Sequence, residues 1–232
     1  MKIAPGETRG LRVGLMVPIN NTTMEAELAA WLPAGSTVTR IGIPRGAGLL
    51  TRETMPAYRD AAVALAAQHF SPETHDILAY GCTAAGFISG PKGDAELQAK
   101  LSEVTGLPVV TTARAMVVAL QAAGAKSIAV VTPYQDGVNQ QLTHFLADGG
   151  IAVKRLATFR APDVNALGRI TSPEVKALAE ATMGEDCDAL FIGCSQLPTQ
   201  AILGGLAAHF GKPALSSIQA TAWDAARLMT PS

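Results

Sequence analysis

Short runs of apolar residues alternate along the chain with longer segments whose apolar positions recur at helical spacing. Residues 13–17 form a continuous apolar run that ends at Pro18, which is the pattern of a buried strand. Comparable runs occupy 76–80, 109–110, 128–131, 189–192 and 214–215. The helical pattern predicts helices at 25–32, 53–70, 113–123 and 138–147. Buried strands that alternate with helices predict an α/β protein whose parallel sheets are covered on both faces.

The second half of the chain repeats the pattern of the first half. Three blocks recur in the same order, namely 12–18 with 127–133, 76–83 with 188–195, and 106–112 with 211–217. The distance from the strand-ending proline to the following Gly-Cys cysteine is 64 residues in one half and 61 in the other. This agreement indicates a tandem duplication, with two pseudo-symmetric Rossmann-like domains that face each other across a cleft.

The repeat also predicts how the chain divides. We expect a first half over 1–115 and a second half over 116–216, with 217–232 as a candidate addition to the first half. Residues 45–50 include two glycines, which allow hinge motion, so this segment is a candidate lid over the cleft. A plain surface loop is the alternative interpretation.

Composition and charge exclude several classes of partner. Lysine and arginine total 18 against 19 for aspartate and glutamate, so no basic excess is present to bind a nucleic acid backbone. No apolar signal core begins the chain, and the longest uncharged run, 189–210, contains a proline and two glutamines. Three cysteines do not form a disulfide framework. We therefore predict a cytoplasmic protein with no membrane segment.

Each half ends a buried strand with a cysteine, Cys82 or Cys194. Ligands of open α/β sheets bind beyond the carboxyl ends of strands, where backbone N–H groups favour a thiolate and bind carboxylates. Two opposed thiols can serve opposite faces of one carbon, one as nucleophile or base and the other as acid. A single such cysteine is usually an inert core residue, but its recurrence in a repeat favours a function. Cys187, which has His75 at its equivalent position, is interpreted as structural.

Polar side chains follow the first strand of each half. Asn20 and Asn21 offer amides for a substrate carboxylate, with a helix N-cap as the alternative. Tyr134 stands at the same place in the second half, where its hydroxyl would bind a carboxylate or its ring would simply pack. Gln196 and Thr199 are further candidates after the second cysteine. The cysteines and histidines show no zinc-ligand spacing, and no dinucleotide or phosphate motif occurs.

These motifs together resemble the aspartate/glutamate racemase superfamily, in its branch of maleate cis-trans isomerases and arylmalonate decarboxylases. The resemblance rests on 17–25, 131–134 and 194–199, and it extends from residue 13 to residue 228. It implies a cofactor-independent isomerase of a small dicarboxylate such as maleate, with a homodimer as a further expectation. In that chemistry a thiolate adds to the double bond, the resulting single bond rotates, and fumarate is eliminated.

The resemblance assigns roles to individual residues. Cys82 would be the thiolate that adds to or deprotonates the substrate carbon, and Cys194 would be the opposing acid. The predicted substrate-binding residues are Asn20, Asn21, Thr83, Tyr134, Ser195 and Gln196.

The sequence also departs from the branch in ways that keep alternatives open. The small residues at 83–86 are nearer to the decarboxylase loop than to the bulky aliphatics of the isomerases. The decarboxylase, however, carries glycine at the position of Cys82. Asn20, Asn21, Ser195 and Gln196 replace the Asp-Ser and Thr-His pairs typical of amino-acid racemases. The alternatives are a racemase or decarboxylase that acts through an enediolate or carbanion, and a non-catalytic carboxylate-binding protein.

Overall fold

The computed structural model describes residues 9–45, 50–51 and 53–230. Its strands are β1 (Arg12–Pro18), β2 (Thr37–Ile43), β3 (Ile77–Tyr80), β4 (Val109–Thr111), β5 (Ser127–Thr132), β6 (Ala152–Thr158), β7 (Ala189–Ile192) and β8 (Ala214–Ser216). Its helices are α1 (Met24–Trp31), α2 (Met55–His69), α3 (Thr83–Ile88), α4 (Gly90–Thr105), α5 (Thr112–Ala122), α6 (Asp136–Asp148), α7 (Val164–Gly168), α8 (Ser172–Thr182), α9 (Leu203–Phe210) and α10 (Ser217–Leu228). The candidate lid at 45–50 falls largely outside the described residues, which exclude 46–49.

The strands form two parallel sheets with the same order. The first sheet runs β2-β1-β3-β4 and the second runs β6-β5-β7-β8. In each sheet the second strand along the chain pairs with one side of the first strand, and the third strand pairs with its other side. A crevice therefore opens beyond the carboxyl ends of β1 and β3, and another beyond those of β5 and β7. The predicted α/β fold with two similar parallel-sheet halves is confirmed.

Burial along the strands explains which of them the sequence pattern revealed. Every residue of β3 and of β7 is buried, so both read as continuous apolar runs. The edge strands β2 and β6 expose most of their side chains at least partly and carry charged residues. The sequence analysis did not predict β2 or β6, because an edge strand in contact with solvent lacks the apolar run of a central strand.

The same backbone contact ends the third strand of each sheet. The Gly81 N–H donates to the Met16 carbonyl at 2.6 Å, and the Gly193 N–H donates to the Val131 carbonyl at 2.8 Å. Each bond continues the ladder of the central strand pair by one residue. The cysteine that follows each glycine consequently lies just beyond the sheet, at the crevice.

The last helix, α10, packs against elements of both halves. Helix α10 contacts α1, α5 and β4 of the first half as well as β8 of the second. The Oγ1 atoms of Thr112 and Thr221 lie 2.9 Å apart at the contact between α5 and α10. The domain boundaries at 115 and 216 stay a prediction, and this packing is the reason to keep 217–232 as a candidate part of the first half.

The helices are of ordinary globular length. The two longest among the described residues, α4 with 16 residues and α2 with 15, both carry charged side chains. No helix in the described ranges is long and apolar enough to cross a bilayer.

Candidate active site

A cavity of about 70 Å³ lies where the crevices of the two sheets meet. A single water molecule needs roughly 10–15 Å³ on the same measure, so the cavity has room for a small ligand. The predicted site residues that line it are Asn20, Asn21, Cys82, Thr83, Tyr134, Cys194, Ser195 and Gln196. The structure thus brings together, from both halves, the two predicted catalytic cysteines and the six predicted substrate-binding residues, but not the further candidate Thr199.

Both cysteines present a free thiol at this cavity. Cys82 is 4% exposed and precedes α3, whose Ala85 N–H faces the Cys82 sulfur. Cys194 is 7% exposed, and the Gln196 N–H donates to its sulfur at 3.4 Å. Backbone N–H groups directed at sulfur stabilise a thiolate. Each thiol therefore has a built-in partner for its ionised form.

The electrostatic surroundings of the two thiols differ. Burial raises the pKa of Cys82, and the Ala85 N–H and the Arg45 guanidinium act in the opposite direction. Burial, the largest cause, and negative charge on Cys82 together raise the pKa of Cys194 to about 11, although the Gln196 N–H and the Tyr134 hydroxyl act in the opposite direction. A cation thus favours ionisation of Cys82, whereas a neighbouring thiolate disfavours ionisation of Cys194.

Three polar atoms at the cavity have no hydrogen-bond partner among the described residues. They are Asn20 Oδ1, Thr83 Oγ1 and Tyr134 Oη. Burial raises the pKa of Tyr134 well above its usual value, so its hydroxyl keeps its proton, and it faces both Cys194 and Thr83. Buried polar groups are normally paired. A bound carboxylate would accept from the two hydroxyl groups.

Hydrogen bonds join the two halves in what we call the interhalf clasp, which consists of Asn21 and Thr22 on one side and Ser195 and Gln196 on the other. All of them except Thr22 are predicted binding residues. Asn21 Nδ2 donates to the Ser195 carbonyl at 3.1 Å and to Ser195 Oγ at 3.2 Å. The Thr22 N–H donates to Gln196 Oε1 at 3.0 Å, and Gln196 Nε2 donates to Thr22 Oγ1 at 2.9 Å. Asn21 Oδ1 accepts from the Met24 N–H at 2.9 Å, as an N-cap does. Substrate binding by these side chains stays a prediction.

Thr199 and Cys187 lie outside the cavity. Thr199 is fully buried, and its N–H and Oγ1 donate to the Glu27 carboxylate at 2.7 and 2.9 Å. These hydrogen bonds to a carboxylate form a further link between the halves, and they do not place Thr199 at the substrate site. Cys187 is 1% exposed and packs in the apolar core of the second half.

Sequence reasoning gave no binding or catalytic role to several residues that line the cavity, and it placed two of them, Arg45 and Leu50, only in the candidate lid. Arg45, which follows the edge strand β2, is the important one because it interacts with Cys82. A prediction of β2 would have placed Arg45 beyond a strand end and so near the site. Apolar walls come from Leu50 of the candidate lid and from Val138, Ala161 and Leu167, which no motif marks.

No group of histidine, cysteine, aspartate or glutamate side chains in the described part of the chain is arranged to hold a metal ion. The arrangement instead offers two thiols, two hydroxyl donors and one guanidinium around one small space. Such a set can bind a carboxylate and can carry out addition or proton transfer at a neighbouring carbon.

Comparisons with known proteins agree with this arrangement. The family model described as arylmalonate decarboxylase matches residues 13–232. A maleate isomerase from Geobacillus stearothermophilus is 26% identical over 224 residues, covering 91% of this chain and 89% of the relative.

Solved structures show the same fold. A liganded double mutant of arylmalonate decarboxylase, with a glycine changed to cysteine and a cysteine to serine, is 26% identical with a TM-score of 0.83, covering 94% of this chain and 92% of that one. A cysteine-to-serine mutant of the Nocardia farcinica maleate cis-trans isomerase, with a covalently bound succinylcysteine intermediate, has a TM-score of 0.85 at 23% identity, covering 94% and 92%.

Proposed function

The chain belongs to the arylmalonate decarboxylase family, and on this premise we propose that it is a maleate isomerase-like enzyme that uses two opposed cysteines and no cofactor. Its proposed substrate is a small unsaturated dicarboxylate, with maleate as the first candidate. A cytoplasmic location and a homodimer stay predictions.

The observation that carries the proposal is the placement of Cys82 and Cys194 at one cavity. A decarboxylase with glycine at the first position has a single thiol for its chemistry, whereas this chain has one from each half. Burial raises the pKa of both thiols, to about 11 for Cys194, and the Arg45 guanidinium opposes this rise at Cys82, so Cys82 is assigned the thiolate and Cys194 the thiol. The pair thus supplies one nucleophile and one acid.

The proposed reaction begins when the Cys82 thiolate forms a bond to one olefinic carbon. The electron pair of the double bond moves through the other olefinic carbon into its carboxylate, which becomes an enediolate. The Cys194 thiol donates its proton to that second carbon and leaves a succinyl group on Cys82, the kind of adduct solved in the Nocardia farcinica enzyme. Rotation about the new single bond follows. Cys194 then takes the proton back, the C–S bond breaks with its electrons returning to Cys82, and fumarate leaves.

The carboxylate that becomes an enediolate needs hydrogen-bond donors in place. Thr83 Oγ1 and Tyr134 Oη are buried and have no hydrogen-bond partner within the described residues, and both residues line the cavity. Preorganised donors aimed at developing negative charge are a large source of catalysis in a site that excludes water. We assign these two hydroxyl groups, with the Asn20 amide beside them, to carboxylate binding.

A second candidate is decarboxylation or racemisation through the same enediolate. The family model and the small residues at 83–86 favour it. In that case Cys194 would protonate the carbon next to the retained carboxylate, and Cys82 would serve the opposite face. The two candidates differ in substrate, so one panel of substrates separates them.

The test is proton NMR of the purified protein with maleate in heavy water. We expect fumarate from the unmodified chain and none from Cys82→Ala or Cys194→Ala. Cys187→Ala is the matched control, because Cys187 is equally buried but does not line the cavity. Absence of fumarate would exclude maleate as substrate. Deuterium exchange or CO₂ loss with substituted malonates would then support the second candidate. No reaction with any of these substrates would support a carboxylate-binding protein.

A further inference from the structure

The backbone of Cys194 has an unusual conformation, and a serine from another element contacts it there. Cys194 has φ 157°, which is one of two positive φ values at non-glycine residues in the described part of the chain. Residues with a side chain rarely adopt a positive φ, and such a backbone persists where the surrounding structure holds it. The Cys194 N–H donates to Ser217 Oγ at 3.0 Å, and both residues are buried.

Ser217 is itself held firmly within the core. It is the first residue of α10 and is fully buried, and its carbonyl accepts from the Thr221 hydroxyl at 2.8 Å. Thr221 Oγ1 in turn lies 2.9 Å from Thr112 Oγ1 on α5. Helix α10 also packs against α1. The hydroxyl that accepts the Cys194 N–H therefore projects from a helix that is anchored to the first half.

The first half of the duplication uses the equivalent hydroxyl differently. Thr112 occupies the position of Ser217, because 106–112 recurs as 211–217. Its Oγ1 lies 3.2 Å from the Tyr80 carbonyl and donates there or to Thr221, and Cys82 has an extended backbone with φ −107°. The positive φ thus occurs in the half where this hydroxyl accepts the N–H of the cysteine.

We propose that Ser217 is a positioning residue for Cys194, whose hydroxyl oxygen accepts the Cys194 N–H, holds the positive φ and so directs the sulfur into the cavity. The other polar atoms of Cys194 are held by its own loop, since its sulfur accepts from the Gln196 N–H at 3.4 Å and its carbonyl from the Leu197 N–H at 3.3 Å. The proposal rests on the proposed function in one respect, namely that Cys194 carries the proton. Ser217 does not line the cavity and does not touch the substrate.

The expected effect of Ser217→Ala follows from the loss of this acceptor. The positive φ is unfavourable by itself, so the hydrogen bond from Cys194 offsets its cost. A hydrogen bond between neutral groups shifts an equilibrium by about three- to tenfold. Without it the backbone moves away from the held conformation, and the reactivity of the sulfur at the cavity should fall by about that factor. Proton transfer should fall with it, because it depends on close placement of the reacting atoms.

The test measures the reactivity of Cys194 in the absence of substrate. Initial rates of iodoacetamide alkylation of the Cys194 and Cys82 peptides are followed by mass spectrometry at one mildly alkaline pH. The proteins are the unmodified chain, Ser217→Ala and Ser216→Ala. Ser216→Ala is the matched control, because Ser216 is equally buried and its Oγ accepts from the Gln219 N–H at the start of α10 rather than from Cys194. Each variant removes a single oxygen atom from the core, and thermal melting checks that both fold.

The Cys194 rate should fall about three- to tenfold in Ser217→Ala and less than about twofold in Ser216→Ala. An unchanged or faster Cys194 rate in Ser217→Ala, an equal fall in Ser216→Ala, or an equal fall at Cys82 would overturn the proposal. Alkylation does not involve the substrate, so this result stands even if maleate is not turned over. Where maleate is turned over, kcat of Ser217→Ala should fall by a similar factor with KM changed less than about twofold. A change in KM alone would contradict a positioning role.

Discussion

Asn21 joins the interhalf clasp to the first turn of α1, so one substitution removes two different kinds of contact. Its Nδ2 donates twice to Ser195, at 3.1 and 3.2 Å. Its Oδ1 accepts from the N–H groups of Thr23 and Met24, at 3.1 and 2.9 Å. The side chain is 6% exposed, so water cannot readily replace these bonds in Asn21→Ala. Asn21→Ser separates the two kinds, because serine still caps a helix but cannot reach the other half.

The expected loss of stability follows from these bonds. Removal of an N-cap costs about 1 kcal/mol, and each of the two bonds to Ser195 contributes roughly 0.5–1.5 kcal/mol. Asn21→Ala should therefore lower the free energy of unfolding by about 3 kcal/mol. Asn21→Ser should lower it by about 2 kcal/mol, because only the interhalf bonds are lost.

The assay is urea unfolding followed by circular dichroism, with thermal melting beside it. For a chain of this size about 1 kcal/mol corresponds to a melting shift of roughly 2–4 °C, so Asn21→Ala should melt about 6–12 °C lower. The melting temperature of the serine variant should lie between those of the alanine variant and the unmodified chain. The reasoning would be refuted if Asn21→Ala lowered the free energy of unfolding by less than about 1 kcal/mol, or if both variants lowered it equally. Either result would show that Asn21 does not both cap α1 and hold the interhalf clasp.

Three more predictions follow from individual contacts. Burial raises the pKa of Asp94 to about 6 from 3.8, so the free energy of unfolding should fall by roughly 3 kcal/mol as pH rises through this interval. Asp94→Asn should remove that part of the pH dependence of the free energy of unfolding, measured by urea unfolding. If the dependence on pH is the same in Asp94→Asn, another group causes it. A Cβ at Gly81 would lie 2.5 Å from a methionine sulfur, whereas a Cβ at Gly193 would meet nothing nearer than 3.5 Å. Gly81→Ala should therefore lower the free energy of unfolding by about 1–3 kcal/mol in the same assay, and Gly193→Ala should change it little. Equal losses in the two variants would contradict this prediction. For kcat/KM with a turned-over substrate we expect a bell-shaped pH profile that rises as Cys82 ionises and falls near pH 11 as Cys194 loses its proton. A rise that continues beyond pH 11 would contradict the role of Cys194 as acid.

Much of the fold could be predicted from the sequence because its central strands are buried on both faces. Continuous apolar runs marked β1, β3, β5 and β7, and the repeated Gly-Cys pair at 81–82 and 193–194 marked where two of them end. Ligands bind beyond the carboxyl ends of parallel strands, and the repeat predicted two halves that face each other across a cleft, so the sequence predicted a common site for Cys82 and Cys194.

The residues that sequence reasoning missed reach the site only through packing. Arg45, which the sequence placed only in the candidate lid, follows an edge strand that lacks an apolar run. The contact between the Asn21 side chain and Ser195 was not predicted either, because a local pattern shows an available amide but not the partner 174 residues away. Contacts of that separation depend on how the two halves dock, which periodicity does not encode.

The duplication explains why there are two thiols, and the divergence of the halves explains why the thiols are not equivalent. Cys82 has an extended backbone with φ −107° and is followed by a helix, whereas Cys194 has φ 157° and donates its own N–H to Ser217 Oγ at 3.0 Å. Only Cys82 has a cation, Arg45, among the groups that favour its ionisation. A perfectly symmetric pair would ionise with equal ease, and the first thiolate formed would repel the second at either position. In the proposed mechanism, unequal surroundings determine which sulfur attacks and which holds the proton.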